Sequence, residues 1–400
     1  MTTSADTNNP KASGPRSLAC NGNETQISGF LCLLRRLKSP VVRDLAWVLF
    51  SPSLLRQNWL GYIDANEVFW SKSVKYGALH NWLLRLDELN TKHALSSLPS
   101  RRDILCGRAT RLGLHFENLL AFASQRLHGS GLCAYDLLTR NTQIVSEGKT
   151  LGELDFIFHD EQNDPGSLFH VEAAVKFYLL PKKPAKGTVA SHWLGPNTKD
   201  RLNLKLTHLY AKQLPFLKDN VDIQQIFFTN DSFSVAIDSK SPKDIKAGYI
   251  VKGMLFVHWS SDFSFPLEIN SACLKGHWMY QSEFEQLVRN THQGQGWFVA
   301  LEKNQWLGGT DWGQIHIKQK LTPPLVYPIG LNNHHARQYP YNWEPPLMFS
   351  RLHHAMSENT KNSPLAQASI FPIAEPGISR WQESRLIVVP DYWPGEAVEQ

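Results

Sequence analysis

The chain has 400 residues, 42% hydrophobic and 19% charged, which excludes a wholly disordered or fibrous protein and allows two or three domains. Its formal net charge of +5 permits a polyanionic partner without requiring one. Five cysteines, none at C-x-x-C spacing, argue for reduced thiols in a cytoplasmic protein and against a disulfide framework or zinc knuckle.

No apolar run approaches the ~18 residues that span a bilayer, so no membrane partner is expected. Thirteen tryptophans suit large cores and equally suit surfaces that stack on bases. Residues 1–25 are rich in Ser, Thr, Asn and Gly and read as a disordered tail without a secretory signal. Residues 26–100 read as an N-terminal helical region. Within it, VRDLAWVLFSPSLL has helical spacing and Pro52 marks a helix boundary.

An α/β core is expected over residues 101–285. Its first helix, 108–128, places Leu112, Phe116, Leu119, Leu120, Ala123 and Leu127 on one stripe and stops at Gly129 and Gly131. Strands are expected at 132–145, 151–160 and 167–180, separated by the turn signals Glu147-Gly148-Lys149 and Asn163-Asp164-Pro165-Gly166. A basic linker leads to a helix near 198–214, with Pro196-Asn197-Thr198 as its N-cap. Further strands are expected at 224–229 and 247–258. The order implies a mixed sheet flanked by helices. Residues 286–400 form a C-terminal extension of mostly strand character, either edge strands of the same sheet or a small domain of their own.

Strand alternation locates the chemistry. In FHVEAAVKF, Val171, Ala173, Val175 and Phe177 share a core face, and His170, Glu172, Ala174 and Lys176 share the other. In GELDFIF, Leu154, Phe156 and Phe158 face the core, with Glu153 and Asp155 opposite. If the two strands pair through the turn at 159–167, Asp155 sits beside Glu172. Two adjacent carboxylates repel unless a cation bridges them, and Mg2+ or Mn2+ suits such a pair because magnesium takes one or two protein carboxylates plus water. Lys176 would then neutralise developing charge or orient water. A Glu and a Lys on a solvent face are more often a weak surface ion pair.

Two features favour the chemical reading. Both strands are apolar apart from these acids, and a basic segment follows directly. In its helix, Leu202, Leu206, Leu209 and Gln213 form one stripe, and Arg201, Lys205, His208 and Lys212 form another beside it. With Lys199, the basic stripe offers a phosphate-tracking face for nucleic acid; an ordinary solvated helix face is the alternative. Glu117, at the edge of the apolar stripe of 108–128, is a candidate third carboxylate or a surface residue beside Asn118. His170 is a candidate site residue or a buried, satisfied histidine, and His115 and His192 have no partner spacing. Walker, zincin, nucleophile-elbow and dinucleotide-binding motifs are absent from the sequence.

With an acid on the second strand and an acid and a lysine on the third, this helix–strand–strand–strand–helix–strand order resembles the PD-(D/E)XK nuclease superfamily over residues 100–260. The stretches VRDLAWVLFSP, RLGLHFENLLAF, GELDFIF, HVEAAVKFYL and WLGPNTKDRLNLKL resemble, more closely, a bacterial domain-of-unknown-function family grouped with that superfamily. The resemblance implies a restriction-endonuclease-like core in which Asp155 and Glu172 bind metal with help from Glu117, and Lys176 serves as the catalytic lysine. The sequence departs from the pattern at Ala174, which holds the usual lysine place while Lys176 lies two residues on, ~6.6 Å along the strand. Leu154 stands where a proline is usual. The resemblance therefore implies a Mg2+- or Mn2+-dependent nuclease acting on DNA or RNA. Its alternative is a non-catalytic nucleic-acid-binding protein on a degenerate nuclease fold, and a structural or regulatory protein ranks third.

Overall fold

A computed structural model of the chain describes residues 36–69, 73–92, 111–160, 166–182, 189–228, 244–262, 264–290, 296–301, 306–308, 347–354, 371–373 and 381–394, together with Phe30, Leu33, Leu34 and Asp164. The expected tail at 1–25, most of the basic linker after Lys182 and the apolar run at 323–330 lie outside the described residues.

Helix α1 (Pro40–Phe50) begins on a proline and ends two residues before Pro52. The two-residue strand β1 (Ile63–Asp64) leads into α2 (Ala65–Phe69) and α3 (Ser73–Lys92). Helix α4 (Leu112–Gly129) carries the stripe read from sequence: Phe116, Leu119, Leu120, Ala123 and Leu127 are buried in the main core. Strands β2 (Tyr135–Ser146), β3 (Lys149–Asp160) and β4 (Leu168–Leu180) follow, close to the expected positions. Ser146 pairs with Lys149 across a two-residue turn, in which Glu147 and Gly148 both adopt positive φ (49° and 74°). That is the backbone a tight hairpin with right-handed twist requires.

Three expectations are corrected between β4 and β5 (Ile245–His258). Helix α5 (Leu202–His208) starts later than expected, and its N-cap residue is Arg201, with no side-chain cap from Asn197 or Thr198. It continues into a π-helical turn, Leu209–Gln213, and a short helix α6 (Pro215–Lys218). Residues 224–229 are not a strand, because Val221–Phe228 forms helix α7 with Ile223 and Phe227 buried. These two positions are four apart, so the apolar residues that looked like a buried strand face one helical side.

Strand β6 (Leu274–Tyr280), helix α8 (Gln281–Asn290), and strands β7 (Gly296–Leu301), β8 (Leu347–His354), β9 (Phe371–Ile373) and β10 (Trp381–Val389) complete the described elements. One ten-stranded sheet runs β2-β3-β4-β5-β6-β10-β8-β7, with β1 on β5 and β9 on β10. The central neighbours β4–β5, β5–β6 and β6–β10 are parallel, and the flanking pairs are antiparallel. The protein is thus α/β with a mixed sheet and flanking helices. The strands after residue 296 join this same sheet.

On one face, α1 and α4 pack against Val171, Ala173, Phe177 and Leu179 of β4. On the other, Leu202, Leu206 and Leu209 cover Tyr178, Leu180, Val251 and Leu255. The segment after α1 is fixed by a buried charge: Lys252 of β5 donates its ammonium to the Ser51 carbonyl. Burial pulls this lysine down to about 8 and pushes Asp64 up to about 6. Among the described residues no helix is long and apolar enough to cross a membrane.

Gly253 pairs with Lys176 across β5 and β4. A Cβ at Gly253 would stand 1.8 Å from the Lys176 carbonyl oxygen. Replacing Gly253 with alanine is therefore expected to destabilise the fold by about 3 kcal/mol through forced separation of the two strands. Urea unfolding measures this, and a midpoint equal to that of the wild type would refute the close approach.

Candidate functional site

Strand β3 pairs with β4 only from Phe156 to His159, and the two strands part beyond Phe156. Asp155 is the first residue past the split. Its carboxylate reaches across and accepts the Ala173 N–H at 2.9 Å. On β4, Glu172 is 1% exposed. Its Oε1 lies 2.8 Å from His170 Nε2, and its Oε2 accepts from the side-chain amide of Gln213. The structure thus brings Asp155 and Glu172 together, with His170 beside them.

Burial pushes Asp155 up to about 7, and the neighbouring Glu172 charge adds to the rise. Burial likewise pushes Glu172 up to about 7. The two carboxyls act on each other as well as feeling burial, so they titrate as a coupled pair. Burial lowers His170 to about 4 and keeps its ring neutral. A neutral ring that donates through Nε2 leaves Nδ1 as a bare acceptor, and that buried atom has no hydrogen-bond partner.

The remaining expected site residues divide. Glu117, on α4, accepts from Asn141 Nδ2 at 3.2 Å, and its carboxyl is raised by burial and then by Asp155. It therefore feels the pair's charge from the rim. Lys176 does not point at the acids: its ammonium binds Asp200 Oδ2 at 2.5 Å, and both side chains are about one-third exposed, 30% and 36%. The alternation put Lys176 on the correct face, but Asp200 lies 24 residues away in sequence and its proximity had no local signal.

Lys205 takes the inward place. It was expected on an outward basic stripe, yet it is half-buried and donates to Gln213 Oε1 at 2.9 Å. Burial lowers its ammonium, and Glu172 and Asp155 oppose that shift. Lys199 and Lys212 are exposed and Arg201 is half-buried, so the continuous stripe is interrupted at Lys205. Gln213 bridges Lys205 and Glu172 through its amide. Its signal in the sequence was a polar residue on the leucine stripe of the helix, the kind of buried polar position that calls for a partner.

Among the described residues no group of three or more His, Cys, Asp and Glu is arranged to hold a metal ion. The site therefore offers two carboxylates, a neutral histidine behind one of them and a half-buried lysine in front.

The family model for the domain of unknown function DUF1853 matches residues 43–361. The chain belongs to that family. No curated protein and no solved structure matches it.

The raised carboxyls set a pH dependence. Their unfolded values are near 3.8 and 4.5 and their folded values near 7. The folded state therefore binds more protons across that window, and stability falls as pH rises through it. For metal-free protein, the melting temperature is expected to decline between about pH 4.5 and pH 7, and Glu172→Gln is expected to flatten that decline. Parallel pH profiles for the two proteins would show that the Glu172 carboxyl does not set the decline.

Proposed function

We propose that this DUF1853 chain hydrolyses phosphodiester bonds of nucleic acid, DNA or RNA, using a divalent cation at Asp155 and Glu172. What chiefly supports the reading is the coupled carboxyl pair at the split between β3 and β4, Glu172 buried and Asp155 half-buried, both raised to about 7 and faced by Lys205. The PD-(D/E)XK resemblance and its restriction-endonuclease-like core agree with this reading in the order of elements and in the two acids, and differ from it in the lysine.

The donor set fits Mg2+ or Mn2+. A hard cation takes carboxylate oxygens, and magnesium needs only one or two of them, with water completing its shell. Two adjacent carboxyls that burial raises are a pair whose charge a divalent cation would relieve. When bound, the cation would supply Lewis acidity at the phosphate and cancel the charge of the pair. The chain's own residues do the rest. His170 and Gln213 hold the two Glu172 oxygens in place, and the Ala173 N–H holds Asp155.

Lys205 replaces Lys176 as the ammonium that meets the charge developing on the phosphate. Lys199, Arg201 and Lys212 lie along the same segment and would track the nucleic-acid backbone. The Lys176–Asp200 ion pair leaves the expected lysine engaged elsewhere, and this favours a second reading, a nucleic-acid-binding protein that does not cleave.

Cleavage of labelled single- and double-stranded DNA and RNA in Mg2+ or Mn2+ tests the proposal. The wild type should cut one of these substrates. Lys205→Met should lose roughly 10²–10³ in rate, and Lys176→Met should stay within about fivefold. Equal losses in the two variants would return the role to Lys176. Salt-sensitive binding without cleavage in either metal would select the second reading. Calorimetric titration of Mn2+ should show binding that Asp155→Asn removes, and no binding to the wild type would sink the metal site.

A further inference from the structure

The parallel strands have a second chemically equipped end. Register aligns Leu180 with Val257, His258 with Trp278, and Tyr280 with Val389, so β4, β5, β6 and β10 finish side by side. Carboxyl ends of parallel strands are where open α/β sheets collect ligand-binding groups. Glu172 aligns with Tyr249. Nine residues of β5 separate that position from His258, or about 30 Å along the strand, so the two ends are separate sites.

Four strand ends contribute side chains here. His258 closes β5, and its side chain has no exposed surface. Its Nε2 lies 2.9 Å from Glu283 Oε2 in the first turn of α8. Lys182, just past β4, reaches the other Glu283 oxygen at 3.3 Å. Asp391, just past β10, accepts from Ser282 N and Oγ at 3.0 and 2.9 Å. The rings of Trp278, Trp259 and Tyr280 surround the imidazole at 4.7, 5.8 and 5.9 Å.

The hydrogen bonds fix the tautomer. His258 Nδ1 lies 2.8 Å from Ser260 Oγ and 3.3 Å from Ser260 N. A backbone N–H can only donate, so Nδ1 must be the bare, accepting nitrogen. The Ser260 hydroxyl therefore donates to it, and Nε2–H donates to Glu283. We propose that Ser260, His258 and Glu283 form a nucleophilic relay in which the exposed Ser260 hydroxyl attacks small carboxylic esters with apolar or aryl acyl groups. The two ring nitrogens exchange the roles they have in the chymotrypsin arrangement, while serine, base and carboxylate keep theirs.

The protonation states agree. Burial holds the His258 ring below its usual value, so it is a free base near neutral pH. Burial alone would raise Glu283, but hydrogen bonds from the Tyr280 amide and His258 outweigh it, and the carboxyl stays ionised. A turn cap alone would need the Ser260–Nδ1 contact and nothing more. The ionised Glu283 behind the other nitrogen, itself held by a lysine, is what a general base needs in order to accept a proton. Trp259 and Tyr280 are half-buried beside the His258 ring, which gives the acyl group an aromatic wall.

In the step itself, Ser260 Oγ bonds to the ester carbonyl carbon as its proton passes to His258 Nδ1. The carbonyl π pair moves to oxygen and returns as the C–OR bond breaks, and the leaving alkoxide takes the proton from Nδ1. Water then repeats the sequence on the acyl-serine and releases the carboxylic acid. Glu283 is a positioning residue that stabilises the imidazolium.

A fluorophosphonate probe tests this by forming a Ser260 Oγ–P bond and releasing fluoride, with peptide mass spectrometry locating the adduct. The wild type should label at Ser260 and hydrolyse p-nitrophenyl butyrate, and Ser260→Ala should do neither while melting at the wild-type temperature. Glu283→Gln should slow labelling at least tenfold, and Glu283→Asp should restore part of the rate. No adduct at Ser260 on the folded wild type would overturn the proposal. So would an unchanged labelling rate in a folded Glu283→Gln or His258→Gln protein.

Discussion

Parallel pairing holds β4 against β5 over all 13 residues of β4, and helices cover both faces of the two strands. A strand enclosed in this way can carry a polar side chain only if a partner lies inside the protein. Three ionisable side chains on the ladder each have one. Glu172 has His170 and Gln213, Lys176 has Asp200, and Lys252 has the Ser51 carbonyl. An unpartnered buried charge costs several kcal/mol, whereas a fully buried leucine contributes ~2 kcal/mol. One missing partner would thus cancel two or three core side chains. The positions of α5, the π turn and the loop after α1 follow from that requirement as much as from apolar packing.

The π turn has a specific geometric effect. In a regular helix Lys205 and Gln213, eight residues apart, would be offset around the axis, because two turns take ~7.2 residues. The wider turn at Leu209–Gln213 absorbs an extra residue, so the eight behave as about seven and the two side chains share a face. They meet at 2.9 Å, and Gln213 reaches on to Glu172. π segments tend to occur where a side chain must be re-aimed. Here the re-aiming turns a lysine from the expected phosphate-facing stripe toward the carboxyl pair.

The legible parts of the fold and site were those with a short repeat. Period-two alternation gave the β3 and β4 faces and with them the juxtaposition of Asp155 and Glu172. Helical spacing gave the buried stripe of α4, and Glu147-Gly148 gave the hairpin. Contacts between distant segments were not legible. Asp200 on Lys176, Glu283 on His258, and the joining of β10 to β6 each depend on chain segments that meet only after folding. The helix at Val221–Phe228 was misread because a short run rich in Ile and Phe has the same composition in a buried strand and in a helix packed on one side. Gln213 stood on a leucine stripe in plain view, and its polarity there was the one local hint of the bridge.

The two ends of the parallel block present opposite electrostatic problems. At the β3–β4 split, the buried Glu172 and the half-buried Asp155 lie together and are both raised, so without a cation the protonated form of the pair is favoured. At the strand ends, Glu283 is held ionised by the Tyr280 amide and the His258 ring, with the Lys182 ammonium alongside. The first arrangement is under-neutralised and gains from an added positive charge. The second is already compensated and gains nothing from one. A divalent cation that binds the folded chain alone would therefore stabilise it through the acid pair. The His258 end should be indifferent to that cation, which makes the chemistry at the two ends separable in a single protein.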